Sequence, residues 1–246
     1  MLKQEKIRFL VLRTLGNFFI LLTIFGFIAT FGPAVYFEVI FRISNFRGVE
    51  YTVAAAEADK ANFGSILAQR RNIEQQHVSD SSQGLFNSLI SGEKDQILVP
   101  KDTNFSILIP KIGASEKVFE NVDPSNEKEY GEKLLKGVAH ARGSAFPGYG
   151  GNTYIFAHSA DSFWNVGRYN AVFYLLKELQ PGDDIVIFFQ NKRFNYTVTE
   201  TKIVDATDLS YLKPDLGTGE TLTLQTCWPP GTTWKRMLVF AKPTVQ

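Results

Sequence analysis

The sequence predicts a mainly β fold: a closed barrel of short strands with two short helices, preceded by an N-terminal transmembrane helix and a helical stalk. Three observations support this prediction. An uncharged apolar run near the N-terminus is long enough to cross a membrane. A stretch rich in Ala, Glu and Gln follows it, and from about residue 98 short β-type runs alternate with turn residues. Strands at this spacing favour a closed antiparallel or mixed barrel, because closure removes exposed sheet edges.

The transmembrane helix is predicted over residues 14–40. The run from Thr14 to Phe37 holds 24 residues without a charge, and about 20 apolar residues span the hydrocarbon core. A signal peptide would have a shorter apolar core, and a helix buried in a soluble core is seldom apolar all round. Four basic residues precede the run and two follow it, which favours a cytoplasmic tail over residues 1–13. We therefore predict a single-pass protein of the cell membrane with an extracellular domain.

Residues 41–97 are predicted to form a helical stalk and linker. The stretch from Tyr51 to about Val78 contains no proline and is typical of a helix. The segments SDSSQG and SGEKDQ then indicate a flexible linker. The exterior domain follows over residues 98–246. Its eight strands are predicted at about 105–112, 117–121, 137–140, 152–158, 184–190, 193–204, 220–227 and 235–241, with helices at about 126–135 and 169–179.

Composition excludes several classes of function. Lys and Arg total 26 against 25 Asp and Glu, so the chain lacks the basic surplus that binds a nucleic-acid backbone. The single cysteine excludes an intrachain disulfide and any multi-cysteine zinc site. No metal site or cofactor is expected. Calcium stimulation stays open, since scattered acids such as Glu116, Glu120 and Asp205 do not form a loop-type calcium pattern.

The lone cysteine, Cys227, is a candidate nucleophile. An unpaired cysteine outside the membrane can oxidise or pair between molecules, although its most common role is that of a buried small hydrophobic residue. Cys227 ends the alternating run TLTLQT and is followed by Trp228–Pro229–Pro230, which cannot continue a strand ladder. This position predicts a location at the rim of the barrel, where functional sites are commonly built.

Two histidines and an arginine are candidate partners of the cysteine. His158 closes the run NTYIFA at another strand-to-loop junction, and His140 is a second candidate because spacing alone cannot choose between them. Arg236 lies nine residues after Cys227, at the start of the last strand, and its alternative is an ordinary strand-end arginine. Histidine can transfer protons, and arginine can donate to an oxyanion. With a thiolate nucleophile, these groups suit acyl transfer through a thioester.

At these residues the chain resembles the sortases, the membrane-anchored cysteine transpeptidases of bacterial surfaces. LTLQTCWPPGTTWKR resembles the family's cysteine and arginine strands, and NTYIFAHS resembles its histidine strand. ILIPKIG, GVAHARGSAFPG and LQPGDDIVI resemble other recurrent segments, in family order over about residues 103–243. The resemblance implies an eight-stranded sortase barrel.

The resemblance also implies roles for single residues. Cys227 becomes the nucleophile, His158 the general acid and base, and Arg236 the residue that holds the substrate carbonyl or oxyanion. His140 falls in a segment that is not catalytic in the family. Thr226 matches the supporting threonine before the nucleophile. Trp228, beside the site, either lines a peptide groove or packs locally.

The implied substrates are secreted proteins with a C-terminal sorting motif of the LPxTG kind, which are transferred to an amine of a cell-wall precursor or a pilin. Asp123–Pro124–Ser125 lacks the aromatic residue of the lid motif in pilin-building sortases, and no second apolar span is found. Both features favour a housekeeping or class D/E-like role. Two alternatives stay open: another thiol hydrolase, and a membrane-tethered, non-catalytic barrel that binds peptides.

Overall fold

The computed structural model describes residues 3–53, 95–159, 172–212, 219–230 and 232–244. Helix α1, Lys3–Phe46, runs beyond both ends of the predicted membrane segment, and its backbone stays helical through Gly32–Pro33. Within it, the 25 residues Gln4–Ile28 have a mean hydropathy of 1.9 and are not buried in the protein. In the described parts of the chain, α1 is the one helix long and apolar enough to cross a membrane.

The predicted barrel is confirmed. Its eight strands are β3 Phe105–Ile109, β4 Ala114–Val122, β5 Val138–Ala141, β6 Gly151–Phe156, β7 Asp184–Phe189, β8 Lys192–Asp205, β9 Glu220–Trp228 and β10 Lys235–Pro243. They close on themselves in the order β10-β8-β7-β3-β4-β5-β6-β9. The β4–β5 and β6–β9 pairs are parallel and the other six are antiparallel, so the barrel is mixed. Apolar side chains such as Ile107, Ile187 and Leu224 fill its interior.

Short helical segments connect the strands. Helix α2, Glu127–Leu134, begins after Asn126, whose side-chain oxygen accepts a hydrogen bond from the Glu129 backbone N–H at 3.2 Å. Three-residue 3-10 turns occupy Pro110–Ile112 and Ser210–Leu212. The second predicted helix is a 3-10 segment, Val172–Glu178, and residues 169–171 lie outside the described residues.

Two strands lie inside the segment predicted as stalk and linker. Strand β1, Glu50–Val53, pairs in parallel with β2, Asp95–Leu98. Their apolar side chains cover an apolar patch on the outer surface of β3 and β7, in a cluster formed by Tyr51, Val53, Leu98, Leu108, Val186 and Phe188. Burial of this patch is the physical reason why these two short segments pair as strands against the barrel. Residues 54–94, with most of the predicted stalk helix and His77, lie outside the described residues.

The barrel also contacts α1 directly. Lys177 Nζ lies 2.7 Å from Glu38 Oε2 and 4.6 Å from the centre of the Tyr174 ring. The other oxygen of Glu38 accepts a hydrogen bond from Arg42 Nε at 2.7 Å. The C-terminal part of α1 is therefore joined to the 3-10 segment Val172–Glu178 by an ion pair.

Candidate active site

Three neighbouring strands bring together the three residues predicted to react. Cys227 on β9 and Arg236 on β10 are direct partners in the antiparallel register. Strand β6 runs parallel to β9 with Phe156 opposite Gln225, and the Ala157 N–H donates to the Gln225 carbonyl at 3.1 Å. His158 and Cys227 are each two residues beyond this last pair. All three side chains therefore belong to the same end of β6, β9 and β10.

Strand alternation separates Cys227 from Thr226. Thr226 is 2% exposed and shares the interior face of β9 with Leu222 and Leu224. Its hydroxyl has no hydrogen-bond partner among the described residues. Cys227 is half-buried and shares the outer face with Gln225. Thr226 can support the nucleophile only from beneath the strand, because its side chain points to the other face.

Trp228 extends β9 by one residue past the predicted end of the strand and is paired with Lys235. Its half-buried side chain packs against the apolar core of the barrel. This favours the packing interpretation of Trp228 over an open groove wall. Trp234, in the β9–β10 connection, is 74% exposed. Asp161 and Trp164, in the connection after His158, lie outside the described residues.

Burial and a nearby cation act in opposite directions on the thiol. Burial raises the pKa of Cys227, and the positive charge of Arg236 partly offsets this effect. The Arg236 Nη1 donates to the carbonyl oxygens of Thr233 and Lys235, both at 3.1 Å. These bonds orient the guanidinium through the backbone and leave Nε and Nη2 without a hydrogen bond in the described part of the chain. The arrangement can lower the pKa of a thiol or donate to a developing oxyanion.

A tyrosine and a glutamine form the floor next to Cys227. The Tyr154 hydroxyl donates to Gln225 Oε1 at 2.7 Å, and Tyr154 is only 1% exposed. Burial raises the pKa of Tyr154, so the phenol remains a neutral donor. Sequence analysis does not single out this pair. The sequence feature that could have identified Tyr154 is the alternation in NTYIFAH, which puts Tyr154 and His158 on the same face of an extended segment.

The same outer face leads to a half-open cavity of about 460 Å³. Its lining comes from β6, β8, β9, β10 and the β8–β9 connection and includes Asn152, Thr199, Tyr211, Thr221, Thr223 and Phe240. Asn152 links two parts of the lining by hydrogen bonds. Its side-chain oxygen accepts from Thr223 Oγ1 at 2.9 Å, and its side-chain amide N–H donates to the Tyr211 carbonyl at 3.2 Å. Thr221 precedes Cys227 by six residues, or about 20 Å of extended strand. In the described part of the chain, the lining of this cavity does not include Cys227, His158 or Arg236.

His140 lies outside this site. It is fully buried on β5, and its Nδ1 accepts a hydrogen bond from the Asn121 N–H at 3.3 Å. The Nε2 then carries the proton and lies 3.0 Å from the Ala145 carbonyl oxygen. Burial lowers the pKa of His140. The ring is therefore a neutral structural group, and the structure separates the two candidate histidines.

Within the described ranges, no group of three or more His, Cys, Asp or Glu side chains could hold a metal ion. Glu116 and Glu120 lie on β4, and Asp205 ends β8.

Comparison with known proteins decides the family. Residues 107–244, more than half of the chain, match the family model described as Sortase domain. This chain belongs to the sortase family. The resemblance that the cysteine, histidine and arginine segments indicated is thereby confirmed.

Curated relatives of this sortase include two sortases of different classes. Sortase D of Bacillus subtilis (strain 168) is 30% identical over 137 residues, which cover 54% of this chain. The match spans only 60% of the length of that relative. Sortase A of Listeria monocytogenes serovar 1/2a is 23% identical over 219 residues, covering 89% of this chain and 86% of that protein.

Solved structures of sortases are also similar to this chain. Pilus-related sortase C of Group B Streptococcus is 28% identical, with a TM-score of 0.48 over 60% of this chain and 70% of that one. The sortase D5 transpeptidase of Clostridium perfringens is 25% identical, with a TM-score of 0.47 over 67% of this chain and 91% of that one.

Proposed function

We propose that this sortase cleaves an LPxTG-like C-terminal sorting motif of secreted proteins and transfers the acyl fragment to an amine of a cell-wall precursor. The observation that carries the proposal is the register of β9 and β10, which pairs Cys227 with Arg236 beside β6, the strand that His158 follows by two residues. A nucleophile, a proton carrier and a fixed cation at one rim are the groups that acyl transfer needs.

The proposed reaction has two halves. His158 removes the proton of the Cys227 thiol, and the thiolate attacks the carbonyl carbon of the scissile peptide bond. Arg236 donates to the carbonyl oxygen as it becomes negative. His158 then gives its proton to the leaving amine, the C–N bond breaks, and the N-terminal part of the substrate stays on Cys227 as a thioester.

The second half reverses the roles. The acceptor amine attacks the thioester carbon, and His158 takes the proton that this amine loses. The C–S bond breaks, a new amide forms, and the returning proton restores the Cys227 thiol. Neither half needs an oxidant, a metal or a cofactor.

The cavity on the outer face supports a peptide substrate. Thr221, in its lining, precedes Cys227 by six residues of strand β9, a distance that about six residues of extended peptide can span. The hydroxyl and amide groups around the cavity can pair with peptide N–H and C=O groups, which would otherwise lose their hydrogen bonds to water on binding.

The proposed location is the cell membrane, with a cytoplasmic N-terminus and an extracellular barrel. The basic residues before the apolar span support this orientation. We infer a class D/E-like role instead of pilin polymerisation. The 30% identity to a sortase D supports this assignment, as does the missing aromatic residue at Asp123–Pro124–Ser125.

The test uses the full chain in detergent micelles with a panel of LPxTG-like peptides. We expect intact-mass spectrometry to find an acyl adduct on the wild-type chain, absent from Cys227→Ala and released by an added amine. If no peptide gives an adduct and Cys227 of the folded chain also resists alkylation, Cys227 is not the nucleophile and the peptide-binding alternative is favoured. If Cys227 is alkylated but no peptide gives an adduct, the assignment of an LPxTG-like substrate is wrong, and the assignment of Cys227 as the nucleophile stands.

A further inference from the structure

Tyr130, on helix α2, contacts the strand end that carries the proposed acid and base. The centre of its ring lies 6.5 Å from that of the His158 imidazole, with the ring planes at 63°. The same ring makes an edge-to-face contact with Phe156, at 6.1 Å and 83°. Aromatic pairs at these distances and angles are attractive and directional. Tyr130 therefore touches Phe156, the last residue of β6, and His158, two residues further along the chain.

Helix α2 is held in place beside the contact. The Arg142 guanidinium donates from Nη2 to both carboxylate oxygens of Glu129, at 3.0 and 3.2 Å, and from Nη1 to Asp123 at 3.1 Å. Its Nε donates to the Asn121 carbonyl at 3.2 Å. One guanidinium nitrogen thus contacts both oxygens of the Glu129 carboxylate, and the other two nitrogens join Arg142 to the residues just before the helix. Glu129 directly precedes Tyr130, so this cluster sets where the tyrosine ring lies.

The hydroxyl of Tyr130 is within electrostatic range of the other two proposed residues. Burial raises the pKa of Tyr130, the charges of Glu127 and Cys227 raise it further, and Arg236 lowers it. The phenol therefore stays neutral and does not neutralise Arg236 as a phenolate would. Tyr130 places an uncharged, half-buried ring beside the imidazole.

We propose that Tyr130 is a positioning residue, whose ring keeps the His158 imidazole oriented toward Cys227. This inference rests on the proposed function. Loss of this ring contact widens the range of orientations open to the imidazole, and small misplacement of a proton carrier lowers the rate strongly. The ring makes the contact, so phenylalanine can replace tyrosine here and alanine cannot.

The test compares Tyr130→Phe, Tyr130→Ala and Tyr130→Leu in the full chain. For peptide cleavage we expect Phe to retain kcat, and Ala and Leu to lower kcat about ten- to a hundredfold with little change in KM. The control is Leu134→Ala, because Leu134 is another buried residue of α2, at 3% exposure. Assays are run well below the unfolding temperature of each variant. The inference is overturned if Leu134→Ala lowers kcat as much as Tyr130→Ala does. It is also overturned if Tyr130→Phe loses as much kcat as Tyr130→Ala.

A second measurement does not depend on activity. We expect diethyl pyrocarbonate to modify His158 several-fold faster in Tyr130→Ala than in the wild type or Tyr130→Phe, as read by peptide mass mapping. An unchanged rate overturns the Tyr130 inference even in an active chain. If the wild-type chain is inactive but His158 is still modified faster in Tyr130→Ala, the proposed function is contradicted. The inference that the Tyr130 ring holds the His158 imidazole is then supported independently.

Discussion

Arg236 and Cys227 are direct partners across the β9–β10 ladder, so the backbone of two paired strands sets the separation between the guanidinium and the thiol. The Arg236 Nη1 is further held by the carbonyl oxygens of Thr233 and Lys235. A cation fixed in this way needs little reorganisation when negative charge develops beside it, which is the condition for effective electrostatic stabilisation.

We expect Arg236→Gln to lower kcat/KM for peptide cleavage about a hundred- to a thousandfold, the usual effect of removing an oxyanion donor. Arg236→Lys should fall between Gln and the wild type, because lysine keeps the charge and loses the planar fork of donors. Steady-state cleavage assays of the full chain check both. Wild-type rates in the Gln variant would show that Arg236 is an ordinary strand-end residue.

Alkylation of Cys227 should depend on pH in a way that reflects its burial. Burial raises the pKa of the thiol, and the nucleophile is the thiolate. We therefore expect the iodoacetamide rate to keep rising above about pH 8.5, where an ordinary cysteine titrates. Arg236→Gln should move the curve to still higher pH, since it removes the charge that lowers this pKa. A plateau below neutral pH would contradict both expectations.

His140 should make stability depend on pH. Because burial lowers its pKa in the folded chain, protonation favours the unfolded state. The stability that neutral His140 provides is present near neutral pH and is lost as the pH falls from about 7 to about 5. We expect the unfolding temperature to decline over this range, with a smaller decline in His140→Gln. Equal slopes in the two chains would show that His140 is not the titrating group.

The Glu38–Lys177 pair should couple the barrel to α1. Both side chains are about three-quarters covered, at 22% and 23% exposure. We expect Glu38→Gln and Lys177→Met to lower the free energy of unfolding non-additively, with a coupling of about 1 kcal/mol. A double-mutant cycle on the full chain in micelles measures this coupling. Additive effects would mean that the contact contributes nothing to stability.

Two glycine substitutions should act in opposite directions. A Cβ at Gly131, inside α2, meets nothing within 4 Å, so Gly131→Ala should stabilise the chain by about 0.5–1 kcal/mol. A Cβ at Gly137 would overlap the Lys117 carbonyl oxygen, which belongs to the backbone, so Gly137→Ala should destabilise the chain by more than about 1 kcal/mol. Thermal unfolding of the full chain compares them, and the same sign for both would contradict the packing around Gly137.

Much of the fold follows from local patterns. Runs such as NTYIFAH and ETLTLQTC alternate with turn residues, and every predicted barrel strand has its counterpart in β3 to β10. The segment IVIFF in β7 is apolar on both faces, which is the pattern of a strand buried on both sides. The residues that cover its outer face come from β1 and β2, far away in the chain, and local pattern cannot name them.

Taken alone, the sequence determined the chemistry of the chain: an apolar span, short strands, and one cysteine, with a histidine and an arginine at strand ends. These properties depend on residue type and on spacing within one element. The tertiary structure decided what depends on packing between distant elements. It buried His140, left His158 at the rim beside β9, placed Tyr130 against that imidazole, and joined Lys177 to Glu38. Contacts of this kind are made when strands close into a barrel, so no single segment encodes them.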